Sequence, residues 1–419
     1  MNMPLRLARR RVAQSAMAMA MGGSLGGADA FAEPRSAAYV PRPQPAAADP
    51  FRVGVFLCPL WKTGCINGRE WAAIEKFPER KPVLGWYDEG DPEVADWEVT
   101  YLLDHGVSFA MVCWYRESGN HGHPVQPWLG HWLHDGLFRC RYGESLRFAI
   151  MWENHTQRAD GRASRQDLLA NLLPFWIENY FRRPNYLTID GTPVLMIYNI
   201  GNFVRDLGGE QEARAALDAM REQCQRKSLG GLVVLGEHHG RTVDRRPDMA
   251  AIGIDAVASY HWPTFTETYP KSVTPAALIA AQEQCWRGLS QASVPATITI
   301  SAGWDDRPWK PVKDGRNRKL WQLAPADFTT LCRRAKAFAA SEAERNPFAR
   351  MILLDNWNEF GEGHYIFPHA EHGFAYLDAV RSVFCPSAGP HKDLVPADLG
   401  LGPYDTLHAE TRTRDTTAR

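Results

Sequence analysis

Eight short apolar runs punctuate the chain, at residues 53–60, 109–115, 147–152, 193–198, 232–236, 256–260, 296–302 and 351–354. Each is long enough for a strand buried on both faces and too short for a core helix. Amphipathic helical patterns separate most of them. Residues 92–105 begin with Asp91 as cap and Pro92 in the first turn, and stop at Gly106. Ser164 and Asp167 form the Asp version of a capping box before a helix over 168–181. Further helices are predicted at 210–226, 276–289 (opened by Thr274-Pro275), 327–343 and 374–384. The link between the fifth and sixth strands is too short for a full helix. The one between the first and second is long, and is expected to hold extra structure near a functional site. Strands alternating with helices imply parallel β-α units. Eight of them over residues 51–385 imply an α/β fold, a single (β/α)8 TIM barrel with an insertion after the first strand.

The last strand changes character within one residue. Met351–Leu354 is apolar, and Asp355-Asn-Trp-Asn-Glu-Phe-Gly-Glu-Gly-His364 is polar, aromatic and glycine-punctuated. In barrels of this kind chemistry sits at the carboxyl ends of the strands. Glu359 and Glu362 are three apart, and in a helical turn that spacing brings two side chains to one face. Two close carboxylates repel, so one holds its proton more tightly and serves as an acid. A separation of roughly 5–5.5 Å suits a retaining glycosidase and roughly 6.5–9.5 Å an inverting one. Gly361 and Gly363 are expected to leave room for ligand beside the backbone.

Other strand ends supply aromatic and polar partners. They are Trp114 and Tyr115 after the second, Glu153 and Asn154 after the third, and Tyr198 after the fourth. Glu237 and His238 follow the fifth, Tyr260, His261 and Trp262 the sixth, and Trp304 and Asp305 the seventh. Trp357, Asn358 and Tyr365 flank the acidic pair, and Trp86 and Tyr87 lie in the long insertion. Aromatic faces with a few fixed polar groups are how sugars are held. Trp114, Tyr115, Trp262, Trp304 and Trp357 are expected as platforms, and Glu153, Asn154, Glu237, His238 and His261 as hydroxyl partners. Glu153 and Glu237 stand out because a buried acid at a barrel mouth must be paired or used.

The run Trp357-Asn-Glu-Phe-Gly-Glu-Gly-His-Tyr-Ile-Phe-Pro368 resembles the W-N-E-W-x-E-G-T-x-x-x-P signature of glycoside hydrolase family 99 and its WbsX-type relatives. Gly85-Trp-Tyr-Asp-Glu-Gly-Asp-Pro-Glu-Val-Ala-Asp-Trp97 and residues 109–115 resemble earlier parts of the same group, so the likeness runs from about residue 53 to 384. It implies a (β/α)8 barrel that cleaves α-mannosides with retention. The first Glu of the motif acts on the substrate 2-hydroxyl and the second is the general acid/base, which assigns these roles to Glu359 and Glu362. Phe360 replaces the usual Trp and His364 the usual Thr, so fold and acidic pair carry over better than the substrate does. WbsX-type relatives also carry a glycosyl-transfer label, which makes transfer the alternative to hydrolysis. A non-catalytic carbohydrate-binding barrel is a further alternative, against which the intact acidic pair counts.

Composition narrows the remaining classes. A formal charge of −1 and no basic stripe argue against a nucleic-acid partner. Carbohydrate is the expected partner, and no stable membrane insertion is expected. No G-x-S-x-G elbow, phosphate-cradling glycine loop or H-E-x-x-H is present. His121, His123, His131, His134 and the His238-His239 pair are read as loop histidines, so no metal and no cofactor are expected. Fifteen tryptophans fit a carbohydrate cleft. Residues 1–32 combine Arg6, Arg9, Arg10 and Arg11 with a weakly apolar stretch and Ala30-Phe-Ala32, the pattern of an export signal with a hint of the twin-arginine route. The expected destination is periplasmic or extracellular. Residues 33–50 read as a Pro/Ala-rich linker, and 386–419 as a disordered tail. Export would permit disulfides among eight cysteines, with Cys58 and Cys65 the nearest candidate pair.

Overall fold

A computed structural model describes residues 39–154, 161–238, 248–310 and 319–407. The export segment 1–32, residues 33–38 of the linker, His239 and the last twelve residues of the tail lie outside the described residues.

All eight predicted strands are present. They are β1 (Arg52–Leu57), β2 (Val107–Arg116), β3 (Arg147–Trp152), β4 (Thr192–Ile197), β5 (Val233–Glu237), β6 (Ala256–Ala258), β7 (Ile298–Ser301) and β8 (Met351–Asp355). Each pairs in parallel with its sequence neighbour from β1 to β6, and β8 joins β7 to β1. The last seam, β6 to β7, is closed by a single parallel bridge. Val257 N–H donates to Pro295 O at 2.8 Å, and Thr297 N–H donates to Val257 O at 2.9 Å. The strands are buried along nearly their whole length because both faces are covered, interior by side chains and exterior by helices. Gly54 is small for a packing reason: a Cβ there would meet the Phe109 ring of β2 at 2.1 Å.

The covering helices match the capping signals. Helix α1 (Pro92–Asp104) starts with the Asp91 side chain accepting from Glu93 N–H, and residues 165–181 (α2) start with Ser164 accepting from Asp167 N–H. The latter run alternates α and π turns through Leu168–Leu172, Leu173–Trp176 and Ile177–Phe181. Then come α3 (Ile200–Leu207), α4 (Glu210–Arg226), a single-turn α5 (Met249–Ile252), α6 (Pro275–Leu289), α7 (Pro325–Glu342) and α8 (Ala375–Phe384). The brevity of α5 agrees with the short link expected between the fifth and sixth strands.

Both flanking segments are seated on the barrel as far as they are described, unlike the loose linker and tail expected from composition. Residues 39–50 lie along α1: Val40 is buried, Ala46 N–H donates to Leu103 O at 2.9 Å, and Gln44 N–H donates to Asp104. After α8 the chain runs back across the barrel to Tyr404, which accepts from Trp97 Nε1 at 3.0 Å. Backbone hydrogen bonds to Leu84 and Trp86 fix that return, contacts that its polar Pro-, Gly- and Thr-containing composition does not reveal. All eight cysteines are free, Cys58 and Cys65 included; Cys65 Sγ instead donates to Leu60 O at 3.1 Å.

Candidate active site

The β8 strand ends in a tight hairpin. Asn358-Glu359 pairs antiparallel with His364-Tyr365, which sets Glu359 opposite His364. Glu362 and Gly363 N–H both turn back to Glu359 O, at 3.3 and 2.9 Å, so one hydrogen-bonded turn holds the acidic pair rather than a helix. Arg80 clamps it from the insertion, donating to Phe360 O at 2.7 Å and to Asp305 Oδ2 at 2.6 Å. Phe360 packs into the insertion's aromatic cluster, 5.1 Å from Trp61 and 5.5 Å from Trp71 between ring centroids. Gly363 takes φ +72°, a conformation glycine adopts without strain. Gly361 does not leave space for a ligand, as first expected. The Trp309 ring fills it, 2.0 Å from where a Cβ would stand.

One oxygen of Glu359, one of Glu362 and one ring nitrogen of His364 lie within 4.8 Å of one another. Glu359 is buried, and its Oε1 accepts from Tyr260 OH at 3.3 Å. The Cys58 thiol also lies against this carboxyl, and Oε2 meets no N–H or O–H donor among the described residues. Burial first, and the Glu362 charge second, push the Glu359 carboxyl up to about 7. Glu362 is partly exposed and meets His364 Nε2 at 3.1 Å. Behind them sits Asp355, fully buried at the end of β8, which contacts His364 Nδ1, His261 Nδ1 at 2.5 Å and Ser301 Oγ at 2.5 Å. Burial alone would lower the His364 imidazole, but the Asp355 carboxylate outweighs it and raises it to about 10. An imidazolium therefore stands against Glu362, with its counter-ion on the far side.

These acids open into a cleft of about 230 Å³ at the carboxyl ends of the strands. Its wall contains Glu359, Glu362, Glu153, Tyr115, Tyr198 and Tyr260 from the expected set. It also contains Cys58, Cys113, Arg69, Trp128 and Trp309, which sequence reading missed. Trp309 follows β7 by eight residues and donates Nε1–H to Arg69 O at 2.7 Å, with the Arg69 guanidinium 4.7 Å above its ring. Trp128 pairs with Tyr115 in a short antiparallel ladder.

The remaining expected site residues lie outside this wall. Trp114 points to the outer helices and donates to Tyr180 OH at 2.9 Å. Trp262 is buried, and Trp357 is buried with its indole donating to Glu98 at 3.1 Å. Trp304 stacks on His364, 5.0 Å between centroids, and so supports the imidazolium instead of offering a free face. Trp86 is covered by the 404–406 return, and Tyr87 stacks on Phe367 inside the insertion. Asn154 locks β3 to β4 through both its amide atoms on Asn199, at 2.6 and 2.8 Å. Glu237 accepts from Tyr260 N–H at 3.0 Å and so positions that tyrosine. The His238 backbone joins β5 to β6, donating to Ala258 O at 2.7 Å. His261 bridges Asp355 and Thr264, Asp305 pairs with Arg80, and Tyr365 packs on Phe360. Asn358 receives Cys58 N–H and reaches Glu89, tying the hairpin to β1 and the insertion. The loop histidines do not converge among the described residues: His131 meets Glu89 at 2.8 Å and His134 meets Tyr180 at 2.9 Å.

Comparison with known proteins places this architecture. The GH99 endo-α-mannosidase of Bacteroides thetaiotaomicron aligns with a TM-score of 0.52 and 16% identity, over 79% of this chain and 95% of that one. A solved structure described as a glycoside hydrolase-like protein aligns with a TM-score of 0.54 and 15% identity, over 82% and 96%. The likeness is one of fold: these neighbours share the (β/α)8 barrel. The uncharacterized protein WxcX of Xanthomonas campestris is 25% identical over 331 residues, which is 71% of this chain and 42% of that protein. The chain thus spans less than half the length of that curated relative. The family described as glycosyltransferase WbsX matches residues 78–380, well over half of the sequence, and the chain belongs to that family.

Proposed function

We propose that the chain is an exported glycoside hydrolase that cleaves an α-linked polysaccharide or oligosaccharide, mannan-like or other, with retention. The observation that carries this reading is the closeness of Glu359 and Glu362 in one cleft, with oxygens inside 4.8 Å. Nearest oxygens this close are compatible with the roughly 5–5.5 Å carboxyl separation of a retaining site. Glu362 protonates the leaving oxygen and recovers its proton from the water or acceptor hydroxyl that attacks in the second step, with His364 beside it holding its carboxyl in place. Glu359, with a proton affinity near neutral, is matched to the task of a base on the sugar 2-hydroxyl, or attacks the anomeric carbon directly. Tyr115, Tyr198 and Trp128 give sugar-facing aromatic surface, and Glu153 and Tyr260 fix hydroxyls. The endo-α-mannosidase named above is of the same fold, which favours an α-mannoside among candidate substrates. The N-terminal segment would take the chain to such a polymer outside the cytoplasm.

The test is a reducing-end assay on α-mannans, α-glucans and bacterial polysaccharides, with Glu359→Gln and Glu362→Gln beside the parent. Activity on one polymer is expected to vanish in both variants. Only Glu362→Gln should recover on a substrate whose leaving group needs no proton. Recovery of Glu359→Gln instead would reverse the roles, and undiminished hydrolysis in Glu362→Gln would remove it as the acid. The family's description favours a second reading, glycosyl transfer. A retaining site passes its glycosyl group to water or to an acceptor hydroxyl, so transfer products formed with added oligosaccharide would support it.

A further inference from the structure

At the opposite end of the barrel from the cleft, three segments bring four metal-ligating side chains together. His105 caps the end of α1, two residues before β2 begins. Asp378 lies in the first turn of α8, and His391 and Asp393 lie on the segment that follows it. His105 Nε2 stands 3.2 Å from Asp393 Oδ1 and 3.7 Å from Asp378 Oδ1, and His391 Nε2 stands 3.1 Å from the same Asp393 oxygen. The donors of His105, His391 and Asp393 all lie within 4.8 Å of one another.

We propose that His105, His391, Asp393 and Asp378 form a zinc site that fastens the C-terminal segment to the foot of the barrel.

Three observations support it. First, the donor spacings of His105, His391 and Asp393 fit, with Asp378 standing 3.7 Å from His105 Nε2 beside them. Zinc bonds of about 2.0–2.1 Å in a tetrahedron set neighbouring donors roughly 3.3 Å apart. Second, the His105 ring is fully buried and already oriented. Its Nδ1 faces Tyr101 O at 2.7 Å, which places the proton there and turns the Nε2 lone pair toward the cluster, the usual arrangement of a metal-bound imidazole. Third, two imidazole nitrogens, His105 Nε2 and His391 Nε2, converge on one buried oxygen, Asp393 Oδ1, at 3.2 and 3.1 Å. A second proton on His105 would satisfy its own contact with that oxygen. With the second carboxylate, Asp378, 3.7 Å from the same His105 nitrogen, the four groups form a donor set that one cation would neutralise. Two imidazoles and two carboxylates without thiolate suit zinc better than magnesium or calcium, which take oxygen ligands. The His105 side of the cluster is dry, where Phe374 stacks over the ring at 5.9 Å and Cys385 packs directly on Gly106, while Asp378 and Asp393 face the surface. His369, Glu371 and His372 form another histidine-acid group, but it offers one carboxylate where the His105 cluster offers two.

The test is the metal content of the untagged full chain by plasma mass spectrometry, after zinc loading and dialysis. About one zinc per chain is expected to remain, falling to below roughly a tenth in a His391→Ala/Asp393→Asn double variant. Both positions are partly exposed, so the variant is expected to fold. Glu362→Gln and His372→Ala should keep the metal. Chelation should also open the 386–407 segment to limited proteolysis, as the double variant does without chelator. A zinc-free parent, zinc unchanged in the double variant, or zinc lost from His372→Ala or Glu362→Gln would each overturn the assignment.

Discussion

Glu359 makes the cleft unstable in a way that pH should expose. Its carboxyl moves from an ordinary value of 4.5 to about 7 in the folded chain, first through burial and then through the Glu362 charge. At ~1.4 kcal/mol per pH unit, holding the ionised form there costs about 3 kcal/mol. Between those two values the folded chain binds a proton that the unfolded chain has released. Stability from this group is therefore complete below pH 4.5 and is lost as pH rises through about 7.

Glu359→Gln removes the titration while keeping the shape and an oxygen for Tyr260 OH. In urea unfolding, parent and variant should be nearly equal at about pH 4 and separate as pH rises, until the variant is more stable by about 2–3 kcal/mol at about pH 8. The comparison must be a difference. Glu98, raised to about 8 by burial and the Glu89 charge, titrates in both chains and cancels. A difference that does not change with pH, or a variant less stable than its parent at about pH 8, would refute the reasoning. The same carboxyl gives an activity counterpart: if Glu359 acts as a base, turnover should fall as pH drops below about 7.

His364→Gln leaves Asp355 buried with only His261 and Ser301 for partners; a loss of roughly 3–5 kcal/mol is expected in thermal unfolding, with a larger activity loss on poor leaving groups than on good ones. Gly361→Ala drives a methyl into the Trp309 ring, so substrate KM should rise several-fold with little change in Tm, because Trp309 is half exposed; unchanged KM would mean that wall is idle. Glu98→Leu orphans the indole N–H groups of Trp132 and Trp357, at a cost of roughly 1–3 kcal/mol for each, and an undestabilised variant would show that water replaces the carboxylate.

The barrel was legible because its signals are local. Apolar runs of strand length and capping residues such as Asp91, Ser164 and Thr274 mark where elements start, and the structure begins α1, α2 and α6 there. The acidic pair was legible because the turn after β8 abruptly becomes polar. The Asp355–His364 pair behind it was not, since a buried imidazolium needs two side chains nine residues apart to meet across a hairpin. Trp309 and Arg69 were out of reach for a similar reason: neither stands at a strand end, and they reach the cleft by packing on each other. The segment after α8 reads as loose because its hydrogen bonds run to Leu84 and Trp86, more than three hundred residues earlier.

The misplacement of Trp114 has a simpler cause, and it was available in the sequence. Side chains along a strand alternate between its two faces, so two consecutive residues cannot both face the barrel mouth. On β2, Cys113 and Tyr115 line the cleft while Trp114 packs against Trp176 and Tyr180 outside. On β3 and just beyond it, Met151 and Glu153 line the cleft while Trp152 packs against Trp176 and Phe203. After β1 the inward set is Cys58 and Leu60. Aromatic residues next to polar ones at strand ends were read as a block when period two required a choice. Choosing by alternation puts the small and polar residues inside and the indoles outside. That leaves a cleft floored by thiols, tyrosines and carboxylates, with its indole faces supplied by loops: Trp128 after β2 and Trp309 after β7. Substrate preference in this chain should therefore follow those two loops and not the strand ends, and exchanging Trp309 or Trp128 for alanine should change which sugar polymer is taken while Glu359 and Glu362 stay in place.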